Sequence, residues 1–393
     1  MNAPQTLRVI SFLNPREPTK QSDLSWLAIR QVRALLNAGI RVQWQILETP
    51  VTVPGTMQMP PLIELSTASI EYMAPHDARL ADLPALVKLA RIDGDAGVLL
   101  AVTSPEWWAP LMGDAKRRIA YLERIPRWSR HTLARLCATC DEIWVPDAQW
   151  AHAVREARAG LELVVMPPIR LHSTSSNIAQ DRLQAFQALL DLAAGSFVFL
   201  CTFDSHGMQA CSHLLEAWKQ AFGERDDINV SLILHCPPQF FFAPAVHGGF
   251  VDVASWVDIQ TEQAKHTGVV LLDQRLNVDG EDLLRACAHV LLVTSEGDGL
   301  GLRVLDAVEA GNAVVGPAMQ GIEELLGPDW QSFAATELSP TAALATALLD
   351  AYEHTFDEGP RRTLIQWHVA NHLSEAAFAQ RVLKRLPTLQ VPA

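Results

Sequence analysis

The sequence predicts an α/β protein with two open parallel sheets in tandem, facing across a cleft. Three observations carry that expectation. Short apolar runs such as Leu7–Phe12 and Phe197–Thr202 alternate along the chain with amphipathic stretches, as expected of strands buried on both faces by crossover helices. The alternation breaks at Pro167, Pro168 and the polar run His172–Asn177, then restarts. Charge also differs on the two sides of that break: residues 1–170 hold 19 Lys+Arg and 17 Asp+Glu, residues 171–393 hold 12 and 27. The expected domains are therefore 1–170, 171–370 and a C-terminal helix over 371–393 that packs back towards the first.

The elements follow in order. Leu7–Phe12 reads as a buried strand. Ser22 is placed to cap a helix over Leu24–Leu36 with apolar residues at helical spacing, and Gly39 ends it. Arg41–Leu47 is the next strand, and Gly97–Val102, Arg118–Leu122, Glu142–Val145 and Leu163–Met166 continue the series. Helices are expected at Trp128–Cys137 and Ala148–Ala157. In the second half, strands are expected at Phe197–Thr202, Val230–His235, Val269–Leu272, Val290–Val293 and Ala313–Gly316. Helices fall at Ala210–Phe222, Asp279–Cys287, Leu302–Ala310, Pro340–Tyr352 and Ser374–Leu386. Ligands of such folds sit at the carboxyl ends of the strands.

Composition narrows the function. The 393 residues carry a net charge of −13, which argues against general nucleic-acid binding, since that needs a basic surface. Six cysteines are too few for a disulfide scaffold. Cys137 and Cys140 form a lone C-x-x-C, which cannot complete a four-ligand metal site and reads as two small buried residues. No metal site and no cofactor are expected. The N-terminus lacks the pattern of a signal peptide, and no apolar run approaches membrane-spanning length. A cytoplasmic location is the expectation, with peripheral contact at the inner membrane face through the basic run 116–135.

The informative stretch is 290–327. A strand ends near Thr294, a loop with Gly297, Gly299 and Gly301 follows, and a helix opens at Leu302. Glycines let backbone approach a ligand, and a helix N-terminus offers free N–H groups to a phosphate. Asp298 sits at the mouth of the loop and Asp306 in the first turns of the helix.

DGLGLRVLDAVEAGNAVVG resembles the EGFGLPVLEAMACGTPVV segment of retaining glycosyltransferases of family four, which have the GT-B fold of two Rossmann-like domains facing across a cleft. Asp298 and Asp306 take the positions of that family's two glutamates. QGIEELLG, the DEIWVP segment of the first half and FLCTFDSHG are similar to further family segments. The resemblance implies transfer of a sugar, retaining and metal-independent, from a nucleotide sugar to a glycan, lipid-linked or small acceptor. It implies Asp298 on the donor sugar and Asp306 on the ribose. The backbone of Gly299, Leu300, Gly301 and Leu302 would hold the diphosphate.

The chain also departs from the family. The Arg and Lys usual after the first strand of the second domain are missing: no Lys or Arg occurs from 183 to 218, and the loop reads Asp204, Ser205, His206, Gly207. Arg303 stands where Pro is usual. Three explanations are open: Arg303 or Arg275 supplies the missing charge, the donor has another leaving group, or the protein binds without catalysing, as a nucleotide-sugar-binding or partner subunit. His206 is a candidate donor to phosphate or sugar. Glu123 and Arg124 end a strand on the acceptor side, as polar contacts or as an ion pair. Trp107 and Trp108 are candidates for sugar stacking or for packing. Arg127, Trp128, Arg130 and His131 form a basic aromatic segment. The triple phenylalanine of loop 237–250 is expected to pack on its own domain.

Overall fold

The computed structural model describes residues 6–389 except 19–20, 51–61, 91–96, 114, 124–128, 159, 171–177, 203–207, 226–227, 236–242, 245–249, 252–267, 275, 294–300, 318–321, 328–333, 336–339 and 355–358. The chain divides into two units, residues 1–170 with 370–393, and residues 171–369.

The first unit is a six-stranded parallel sheet of β1 (Leu7–Leu13), β2 (Val42–Glu48), β3 (Val98–Val102), β4 (Arg117–Tyr121), β5 (Glu142–Val145) and β6 (Glu162–Val165), in the order β2-β1-β3-β4-β5-β6. β3 is buried at every residue and reads as an unbroken apolar run rather than an alternating one; β5 is buried throughout as well but opens on the charged Glu142. Helix Asp23–Asn37 opens as its sequence dictates: Ser22 Oγ accepts from Ser25 N–H at 3.2 Å. Trp108, Leu133, Cys137, Ile143 and Val154 belong to the core. Trp107 meets Phe12 edge-on at 5.5 Å, and Trp108 Nε1 donates to Thr103 O at 3.1 Å. Both tryptophans therefore pack in the core and are not placed to stack on a sugar. Burial pushes the Cys137 and Cys140 thiols up to about 12 and about 11.

Helix Glu375–Arg385 closes this unit. Phe378, Ala379 and Val382 are buried, and Phe378 meets Trp144 edge-on at 6.3 Å. Arg385 Nε donates to the wholly buried Glu142 carboxylate at 3.1 Å, and Arg117 and Trp144 Nε1 donate to the same group. Burial alone would raise the Glu142 pKa. The three donors hold it below the ordinary carboxylate value instead.

The second unit has β7 (Phe197–Thr202), β8 (Val230–His235), a short antiparallel pair β9 (Ala243–Pro244) and β10 (Phe250–Val251), then β11 (Val269–Leu272), β12 (Val290–Leu292), β13 (Ala313–Pro317) and β14 (Ala334–Ala335). The main sheet runs β11-β8-β7-β12-β13-β14, and every pairing in it is parallel. Counted within the sheet this is the 3-2-1-4-5-6 order of doubly wound dinucleotide-binding folds, and its switch point lies between β7 and β12. An aromatic cluster of Phe197, Phe199, Trp218, Phe222 and Tyr352 packs beneath it.

Several elements lie outside the sequence expectation. Helix Gln180–Leu189 buries no residue, and its apolar Leu183 and Phe186 are only half-buried. Helix Gly359–His372 rests on few buried positions, Ile365 and Val369 among them. β14 is two residues long and is defined only by its pairing with β13. Helices Thr67–Met73 and Leu83–Leu89 span two turns each.

Candidate functional site

In an open parallel sheet the binding crevice forms where the strand order reverses, outside the carboxyl ends. In the second unit that point is flanked by the ends of β7 and β12. Helix Leu302–Glu309 opens there from Gly301, whose φ of +65° is left-handed. A Cβ at Gly301 would collide with the Leu325 side chain, so backbone angle and space both select glycine. Nearby, a Cβ at Gly316 would lie 2.9 Å from Val293 O, so β13 and the end of β12 also meet closely. Gly301 is the N-cap and offers no side-chain cap; its carbonyl oxygen accepts from Leu305 N–H at 3.1 Å. The helix thus begins at a residue with no side chain to cap it, and the first-turn N–H groups together with the helix dipole favour an anion there.

Arg303 is exposed on the first turn. Its charge reaches His235, the last residue of β8, and opposes protonation there. β7 lies between β12 and β8, so the Arg303 charge reaches from the helix after β12 past β7 to the end of β8. His235 is buried, and its Nε2 donates to Gln274 O at 3.2 Å. Burial, with Arg303 beside it, pushes its pKa down to about 4. Asp306 lies one turn into the same helix, half-buried, with its carbonyl accepting from Ala310 N–H at 3.1 Å. The structure thus brings Gly301, Leu302, Arg303 and Asp306 onto one helix start. Asp298, Gly299, Leu300, Asp204, Ser205, His206, Gly207 and Arg275 lie outside the described residues. His235 escaped the sequence reading because it belongs to no motif; its position at a strand end is the signal that could have found it.

In the first unit, Glu123 follows β4 at the carboxyl edge of the sheet. Burial pushes its pKa up to about 7, and the charges of Asp23 and Glu106 add to the effect. Glu123 is therefore set among like charges; Arg124 lies outside the described residues, as do Arg127, Trp128 and most of the triple-phenylalanine loop. In the basic run, Arg118 pairs bidentately with Asp141, and Arg117 is committed to Glu142. Lys116, His131 and Arg135 are exposed. The Arg130 backbone opens helix Arg130–Cys137, capped by Ser129 Oγ accepting from Thr132 N–H. Among the described residues, no group of acidic, cysteine or histidine side chains is arranged to hold a metal, and no helix is long and apolar enough to cross a membrane.

The two units have the GT-B fold. Solved structures match the chain over almost its full length. An α,α-trehalose 6-phosphate synthase from Burkholderia multivorans is 13% identical with a TM-score of 0.66, covering 99% of this chain and 97% of its own. HepE of Anabaena, in complex with UDP-glucose, is 13% identical with a TM-score of 0.66 and covers 98% and 99%. A sucrose-phosphate synthase from Thermosynechococcus elongatus is 13% identical with a TM-score of 0.65 and covers 98% and 99%. No family model and no curated protein sequence matches the chain.

Proposed function

We propose that this chain is a glycosyltransferase that takes a glycosyl group from a nucleotide sugar, of the UDP-hexose kind, and passes it to a hydroxyl of a sugar or glycan acceptor. The observation that carries the reading is the uncapped helix start at Gly301 beside the switch point of the second sheet, with Arg303 on its first turn. The similar structures add weight: HepE was solved with UDP-glucose, and two others carry the names of sugar-phosphate synthases.

The chemistry follows from charge. When the bond between anomeric carbon and diphosphate breaks, negative charge grows on the departing oxygens. Preorganised N–H groups and a cation answer that charge without rearranging. The helix start supplies the first and Arg303 the second, in place of the basic pair absent after β7. Holding donor and acceptor together supplies much of the rest. On this reading Asp306 faces the ribose. The sequence resemblance to family four adds retention of anomeric configuration and independence from metal.

The test is incubation with UDP-glucose, other UDP-hexoses, GDP-mannose and dTDP-glucose, followed by release of free nucleotide. Release with a UDP-sugar, undiminished by EDTA, supports the proposal. Binding by calorimetry without release on any acceptor supports a catalytically silent binding subunit instead, a reading favoured by the absence of Lys and Arg over 183–218. Neither binding nor release would sink both.

A further inference from the structure

We infer that His235 is a positioning residue for the nucleotide-sugar site, fixing the Gln274 backbone against the end of β8. This rests on the nucleotide-sugar reading above. β11 pairs in register with β8, with Leu272 opposite His235, so the chain leaves the sheet next to the imidazole. The ring turns onto that departing segment: Nε2 lies 3.2 Å from Gln274 O. A carbonyl can only accept, so Nε2 carries the proton. Three residues further on, Asn277 Oδ1 accepts from Gly280 N–H at 2.9 Å and caps helix Val278–Cys287. Gln274 is therefore held by His235, and Asn277 fixes the start of the helix that follows. Asp273 and Gln274 are exposed there, at the carboxyl edge of the sheet.

The choice of residue fits the neighbourhood. A lysine at this strand end would repel Arg303 and compete for its anion. A histidine that stays uncharged gives the hydrogen bond without the charge, and burial with Arg303 beside it keeps it so, at about 4. An apolar residue would fill the space but leave the Gln274 carbonyl to water. Glutamine, whose amide N–H reaches about as far as Nε2, would restore the bond.

The experiment measures UDP affinity by calorimetry for the wild type, His235→Gln and His235→Leu, with backbone hydrogen exchange in the segment after β11. The expected result is UDP binding by the wild type, about fivefold or more weaker binding by His235→Leu with faster exchange in that segment, and near-normal values for His235→Gln. Melting temperature without ligand is read in parallel; a purely structural role would lower it while leaving UDP affinity of the folded fraction unchanged. Equal UDP affinity in wild type and His235→Leu, or failure of His235→Gln to rescue, overturns the inference alone. No UDP binding by the wild type overturns the nucleotide-sugar reading and the inference with it.

Discussion

At the scale of single residues, Arg303 and Glu123 make opposite demands on their surroundings. Arg303 is exposed at a helix N-terminus, where a cation gains nothing from the dipole, and the proposed function gives it the departing diphosphate as its partner in the reaction. Replacing it with alanine should remove a charge-assisted hydrogen bond worth about 1.5–3 kcal/mol, lowering kcat/KM with the donor roughly 10- to 150-fold with little change in melting temperature. Unchanged steady-state kinetics would remove it from the phosphate role. Glu123 is ionised only at the expense of burial and of the nearby Asp23 and Glu106. Its folded pKa of about 7 lies above the unfolded value, so the folded chain holds the proton where the unfolded chain has lost it. Stability from this group therefore falls as pH rises from about 4.5 to 7 and stays low above that. Glu123→Gln should be more stable than wild type at pH 8, by about 1–3 kcal/mol, and equal to it at pH 4. Urea titrations at the two pH values decide it; a variant less stable at pH 8 would contradict the account. The glycine at 301 was legible as a loop glycine, but the reason for it, a left-handed turn against Leu325, belongs to the packed structure.

At the scale of elements, the C-terminal helix is bound to the first sheet through a buried charge. Glu142 begins β5 and is met by Arg117 from the neighbouring strand and by Arg385 from 243 positions later. Removing one member of a buried ion pair strands the others, at about 3–5 kcal/mol. Glu142→Leu should cost about that in thermal or urea unfolding of the first unit, and Arg385→Leu less, because Arg385 is partly exposed and Arg117 remains. Since the donors lower the Glu142 pKa, this stabilisation is present above the unfolded value near 4.3 and is lost as pH falls through the folded one. No loss in Glu142→Leu would show that the packing of Phe378 and Val382 alone holds the helix. Strands such as β3 and β7 were plain in the sequence because a parallel strand covered on both faces is apolar along its length. Helix Gln180–Leu189 was not, because its few apolar positions are set among polar ones and none of them is fully buried.

At the scale of the molecule, two units with separate cores should unfold separately. A nucleotide that binds the second unit stabilises that unit by mass action, by about 2.7 kcal/mol at a hundred times its dissociation constant. Scanning calorimetry with and without UDP should show one transition rising and the other holding. A rise confined to the first unit would move the nucleotide to the other sheet. The sequence by itself determined the α/β class, the break near 170, the longer strands and the glycine ahead of the helix at Leu302. Each of these is written in contiguous residues, as apolar runs, breakers and backbone permissiveness. Only the tertiary structure decided that Arg303 acts on His235 past β7, that Trp107 and Trp108 belong to the core, and that Arg385 closes on Glu142. Those facts depend on strand order and on pairs distant along the chain, and no local pattern of residues encodes a distance between elements that meet only when the sheets have formed.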